Sequence, residues 1–167
     1  MSDVLLVIDV QQELTDELAP ARRQEFLARL AALIDRARGA NVPVVYVRDA
    51  GVSPGGPGWE ISREIAPRAG ETIVDKEHGD AFRETVLADV LGRLGVEHVI
   101  ATGMQTDFCV DATVRGAEGR GYRVTLVEDA HATYASQGRS EEEIRAAMHA
   151  GALARGVALV PSASLFA

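Results

Sequence analysis

The chain is short of the features that would carry it out of the cytoplasm or onto a polyphosphate. It has a single cysteine, Cys109, among 167 residues, so no internal disulfide can form and no oxidising compartment is needed. No stretch approaches 18 apolar residues, and the opening Met-Ser-Asp-Val-Leu-Leu lacks the basic segment of an export signal. These absences predict a soluble, cytoplasmic protein without a membrane partner. Positive charge is scarce too: 17 Lys and Arg against 25 Asp and Glu leave a net charge of −8, which argues against a nucleic-acid partner. No glycine-rich turn follows the first apolar run, where Asp9 leads directly into Val-Gln-Gln-Glu, so a dinucleotide cofactor is unsupported. The four histidines, His78, His98, His131 and His149, show no metal-ligand spacing with one another or with acidic residues. Neither a metal nor an organic cofactor is expected.

Apolar runs of strand length alternate with helical patterns from end to end, the pattern of a parallel sheet covered on both faces. The expected strands are Val4 to Val10, Val42 to Arg48, Glu71 to Asp75, Glu97 to Thr102, Arg123 to Glu128 and Val157 to Val160. The expected helices are Pro20 to Arg38, Phe82 to Leu94, Phe108 to Arg120, and one opened by the capping box Ser140-Glu-Glu-Glu and running to about Ala154. Residues 1–167 read as one domain, without repeats or low-complexity segments. The long irregular stretch from Asp49 to Gly70, with Ser-Pro-Gly-Gly-Pro-Gly-Trp at its centre, reads as a binding or lid loop.

In an open parallel sheet, ligands bind beyond the carboxyl ends of the strands, where strand order reverses. Asp9 ends the first strand, Lys76 follows the third and Cys109 lies just beyond the fourth, at the mouth of a helix. If the first and fourth strands are neighbours, Asp9 and Cys109 flank the reversal point. A buried aspartate requires a cation, and a reactive cysteine requires a base and a positive neighbour. Making a thiol of pKa about 8.5 mostly thiolate at neutral pH takes roughly 2 to 3 kcal/mol, whereas a helix N-terminus supplies about 0.3 to 1. Lys76 is the expected source of the remainder.

These residues sit in runs that resemble the isochorismatase-like cysteine hydrolases, a family that includes nicotinamidases and related amidases. The matching runs are Val-Ile-Asp9-Val-Gln11, Lys76 with Ala81-Phe82, Thr-Gly-Met-Gln-Thr-Asp-Phe-Cys109-Val, Asp111-Ala-Thr113, Gly121-Tyr-Arg-Val and Glu128-Asp-Ala130. The resemblance implies a three-layer α/β/α Rossmann-like fold with a six-stranded parallel sheet, and a homo-oligomer such as a dimer or tetramer. It implies that Cys109 attacks a carbonyl, that Asp9 takes the thiol proton and passes it to the departing amine, and that Lys76 stabilises the pair. It further implies a cis peptide between Met104 and Gln105, with the backbone N–H groups of Gln105 and Cys109 holding the oxyanion.

Departures from the family pattern narrow the chemistry. Nicotinamidases carry Asp-x-His after the second strand as part of a metal site, where this chain has Asp49-Ala-Gly51, so one ligand is missing. The family often has Asn-Asp-Phe where this chain has Gln12-Glu13-Leu14, so an aromatic wall of the pocket is replaced. Isochorismate-cleaving members lack the cysteine. Gln11, Trp59, Phe82, Phe108 and His131 are candidate substrate-binding residues, and His131 could alternatively pair with Cys109 as a dyad. The expected activity is hydrolysis of a C–N bond in a small molecule, without metal, through a thioester. Two other readings stand beside it: a non-catalytic ligand-binding or redox-sensing protein that uses Cys109 as a reactive thiol, and hydrolysis of a vinyl ether that does not use the cysteine.

Overall fold

A computed structural model of the chain describes residues 2–167. Six parallel strands form one sheet in the order β3-β2-β1-β4-β5-β6. They are β1 (Ser2–Ile8), β2 (Val44–Asp49), β3 (Thr72–Lys76), β4 (Val96–Met104), β5 (Arg123–Ala132) and β6 (Ala158–Val160). The helices are α1 (Gln12–Asp16), α2 (Pro20–Gly39), α3 (Leu87–Arg93), α4 (Asp111–Gly119) and α5 (Glu141–Ala154). β1 and β4 are neighbours, so strand order reverses between them.

Side chains alternate across each strand, which is why a continuous apolar run can feed two cores. Leu5 and Val7 of β1 pack with Phe26, Leu27, Leu30, Leu33 and Ile34, the apolar stripe of α2, while Val4, Leu6 and Ile8 pack with residues of α3, α4 and α5. Pro20 opens α2 at a position that needs no amide hydrogen. At the start of α5, Glu143 N–H donates to Ser140 Oγ and Ser140 N–H donates to Glu143 Oε2, a complete capping box.

At the reversal point Gly103 of β4 pairs with Ile8 of β1. Gly103 has φ +127°, and a Cβ there would lie 2.0 Å from the carbonyl oxygen of Ile8. Only glycine fits between these strands, immediately before the cis Met104–Gln105 peptide.

Three elements depart from the periodicity. The helix expected over Phe82 to Leu94 begins only at Leu87, because side chains take over the backbone's hydrogen bonds before it. Asp80 Oδ1 accepts from Phe82 N–H, Thr113 Oγ1 accepts from Ala81 N–H, and Thr85 Oγ1 donates to the Ala81 carbonyl. The helix expected from Phe108 is preceded by a wide π-type turn, Thr106–Val110, which holds Cys109 before α4 begins. β5 continues four residues past Glu128, pairing His131 with Gly103 and Ala132 with Met104, so His131 lies within the sheet.

Candidate active site

Three side chains converge at the reversal point from three strand ends. Asp9 follows β1 in a left-handed conformation, φ +52°, which aspartate tolerates better than most residues and which is often found at functional sites. Lys76 ends β3, and its Nζ lies 2.9 Å from Asp9 Oδ2 and 3.4 Å from Cys109 Sγ. Asp9 and Lys76 are buried, whereas Cys109 is half-buried and lines a cavity. A fourth group completes the cluster: Asp49 Oδ2, from the end of β2, lies 3.5 Å from the same ammonium.

The electrostatics differ from the expectation of a thiolate drawn out by the lysine. Burial and the adjacent Asp9 carboxylate push the Cys109 thiol up to about 12, against which the ammonium of Lys76 is too weak. Burial likewise raises the Asp9 carboxyl to about 6, opposed by Lys76 and by contact with the thiol. Burial works against the Lys76 ammonium, but Asp9, the Cys109 sulfur and Asp49 offset it and hold the group above its ordinary value. The resting site at neutral pH is therefore a carboxylate, an ammonium and a thiol. One cation shared by two carboxylates leaves no surplus positive field at the sulfur.

The cavity, about 290 Å³, is lined by Asp9, Leu14, Asp49, Val52, Met104, Gln105, Phe108 and Cys109. Phe108, 57% exposed, forms part of its wall. Leu14 stands where the expected aromatic is missing. The structure does not bring Gln11, Trp59, Phe82 or His131 into this lining. Gln11 is buried and acts on backbone: Nε2 donates to the carbonyls of Asp49 and Trp59, and Oε1 accepts from Asp49 N–H. Trp59 lies under the Arg48 guanidinium, 3.9 Å from its ring centroid. Phe82 is buried against Tyr122 and Arg120. His131 is buried with both ring nitrogens engaged, Nδ1 2.7 Å from Thr106 Oγ1 and Nε2 2.8 Å from His149 Nε2.

Of the long loop, only Asp49 and Val52 reach the cavity. The loop's segment Gly58 to Glu60 is pinned along the start of α1, where Gln12 N–H donates to the Glu60 carbonyl and Glu13 N–H to that of Gly58. Asp49 is a cavity-lining carboxylate that the sequence reading did not place among the candidate site residues. It ends a strand on the ligand edge just as Asp9 does, and that same placement could have found it.

A metal of the nicotinamidase kind does not fit these residues. Asp9, Asp49 and Cys109 bring ligand atoms within 4.8 Å of one another, the one such group among the described residues, but the Lys76 ammonium already stands against all three. Gly51 contributes no side chain where a histidine ligand would be needed. No helix among the described residues is long and apolar enough to cross a membrane.

The model of the isochorismatase domain family matches residues 3–158 of the chain. A streptothricin hydrolase of Streptomyces noursei is 37% identical over 136 residues, covering 78% of this chain and 54% of that protein. Nicotinamidase 3 of Arabidopsis thaliana is 32% identical over 149 residues, covering 78% and 73% respectively. Among solved structures, an isochorismatase of Pseudomonas putida KT2440 superposes with a TM-score of 0.88 at 32% identity, covering 98% of this chain and 89% of its own. The chain spans about half the length of the two streptothricin hydrolases it matches, 54% and 49%.

Proposed function

The chain belongs to the isochorismatase family, and on that premise we propose that it is a metal-independent cysteine hydrolase that cleaves a C–N bond of a small amide through a thioester. The observation that carries this reading is the contact of buried Lys76 with Asp9 and Cys109, which both line a cavity sized for a small molecule.

The protonation pattern defines the order of events. Because the thiol rests protonated beside a carboxylate, Asp9 removes its proton as Sγ adds to the substrate carbonyl carbon, rather than beforehand. Lys76 keeps the carboxylate ionised until that moment. The carbonyl oxygen, now negative, is held by the backbone N–H groups of Gln105 and Cys109. The tetrahedral adduct collapses by breaking the C–N bond, and protonated Asp9 gives its proton to the departing nitrogen. Water, deprotonated by Asp9, then attacks the thioester carbonyl; the acid product leaves and the proton returns to sulfur. Net charge in the site is unchanged through each proton transfer, which suits a buried setting.

The test is a screen of small amides, imides and ureido compounds, with intact-mass detection of an acyl adduct on Cys109. With an accepted compound, Cys109→Ala loses turnover by at least about a thousandfold, and the adduct disappears. Undiminished hydrolysis by Cys109→Ala would remove the cysteine as nucleophile and with it the thioester route.

A further inference from the structure

The cavity beside Cys109 has a one-sided lining. Its charged groups are the carboxylates of Asp9 and Asp49, and no lysine, arginine or histidine is among the residues that line it. The nearby cation, Lys76, has a fully buried side chain and a saturated bonding capacity. An ammonium has three hydrogens, and Nζ faces three acceptors: Asp9 Oδ2 at 2.9 Å, Asp49 Oδ2 at 3.5 Å and Cys109 Sγ at 3.4 Å. None remains for an anionic substrate.

Asp49 is the opposite case. Oδ1 accepts from Gly51 N–H at 2.8 Å and Oδ2 faces Lys76, yet each carboxylate oxygen can take a further donor. Its side chain is 28% exposed. The backbone of Asp49 is held in place by the Gln11 amide, which bonds both its N–H and its carbonyl. Leu14, Val52, Met104 and Phe108 make the apolar part of the lining, which Gln105 and the Cys109 thiol complete.

We infer that Asp49 selects the substrate: the pocket takes an amide whose body is apolar and which carries an ammonium or comparable donor for Asp49, and it rejects amides bearing a carboxylate. The inference rests on the hydrolase reading for the identity of the site as a substrate pocket. Its charge preference is independently measurable, because the protein's single thiol faces the same space.

Methyl, 2-aminoethyl and 2-sulfonatoethyl methanethiosulfonate each transfer their thioalkyl group to a thiolate, forming a mixed disulfide and releasing methanesulfinate. Rates on the intact protein, followed by mass spectrometry and divided by those on 2-mercaptoethanol, isolate the field of the pocket. The aminoethyl reagent should outpace the sulfonatoethyl one by about tenfold or more, and Asp49→Asn should cut that ratio at least about threefold, with the methyl reagent as the neutral reference. Should Asp49→Asn fail to fold, raising ionic strength on the wild type must shrink the ratio. A normalised ratio of one or less, or one that neither the substitution nor salt alters, overturns the inference. With matched amides that are turned over, the ammonium-bearing member should have the highest kcat/KM, and the advantage should fall in Asp49→Asn. A preserved reagent ratio without turnover of any amide would sink the hydrolase reading and leave the charge preference standing. Turnover that favours the carboxylate-bearing amide does the reverse.

Discussion

Two largely buried polar clusters lie near the carboxyl edge of the sheet, with Cys109 and His149 half-buried. Asp9 and Cys109, in contact with the buried Lys76, line a cavity, whereas Thr106, His131 and His149 do not line it. The first cluster is charged and unfinished: Asp9 is held by the Lys76 ammonium through one oxygen, Oδ2, and Cys109 is only half-buried on the cavity wall. His131, at the centre of the second, is closed, since each of its ring nitrogens already has a partner. Burial holds His131 neutral, down to about 3, with His149, Arg145 and Arg22 adding to the effect. A reactive residue type at the right strand end is therefore insufficient. What separates a chemical site from a structural one is bonding capacity left open toward a space that a substrate can enter.

The sharpest way to break this contrast is to remove the cation. Lys76→Met leaves Asp9 buried without its counter-charge, so its carboxyl shifts further upward and less of it is ionised at neutral pH. Hydrolysis should fall by about 10² to 10³-fold, the range expected for loss of a general base, and the fold should lose about 3 kcal/mol. Turnover against pH, with thermal denaturation alongside, checks both. A Lys76→Met enzyme with an unaltered pH profile would show that Asp9 is not tuned by the lysine.

A smaller effect comes from pH alone. Asp9 accepts a proton only when ionised, so kcat/KM should fall about tenfold per unit as pH drops below about 6 and stay level above it. With the thiol pushed up to about 12, no second limb is expected near neutrality. A dyad of Cys109 with a histidine would instead give a bell-shaped profile, so a descending limb between neutral and mildly alkaline pH would count against the assignment.

Much of this arrangement was legible in the sequence. Continuous apolar runs ending in Asp9, Lys76 and the Cys109 turn place those residues on one edge, because strand direction is set by alternation with helices. The layered sheet follows from the same alternation. Side-chain direction was not legible. His131 was expected to follow β5, but the strand extends through Ala132, and pairing with Gly103 places the histidine in the sheet. Trp59 was expected over the pocket, yet the Arg48 guanidinium offered its ring a nearer partner. Phe82 fell outside a helix because Asp80, Thr85 and Thr113 satisfied the local backbone instead. Each miss was decided by a long-range or side-chain partner that a periodicity does not contain.

The closed cluster supplies the smallest expected change in activity and the clearest test of its structural role. His131 holds its proton only below about 3, against 6.5 in an unfolded chain, so between those values the unfolded state binds a proton that the fold excludes. Stability should thus decline as pH falls from 6.5 toward 3, by at most about 5 kcal/mol from this group. Asp9 acts in the opposite sense: its carboxyl is raised to about 6, so its contribution is favourable at low pH and is lost as pH rises through about 6. The wild-type curve mixes the two, but its difference from His131→Asn isolates the histidine. The variant should be less stable at neutral pH by about 1 to 3 kcal/mol, through the lost bonds to Thr106 and His149. On acidification it should lose less, so that the two denaturation curves converge, while kcat/KM at neutral pH stays within about threefold of wild type. A hundredfold fall in kcat/KM at unchanged melting temperature would instead make the second cluster part of the chemistry and erase the distinction between open and closed groups.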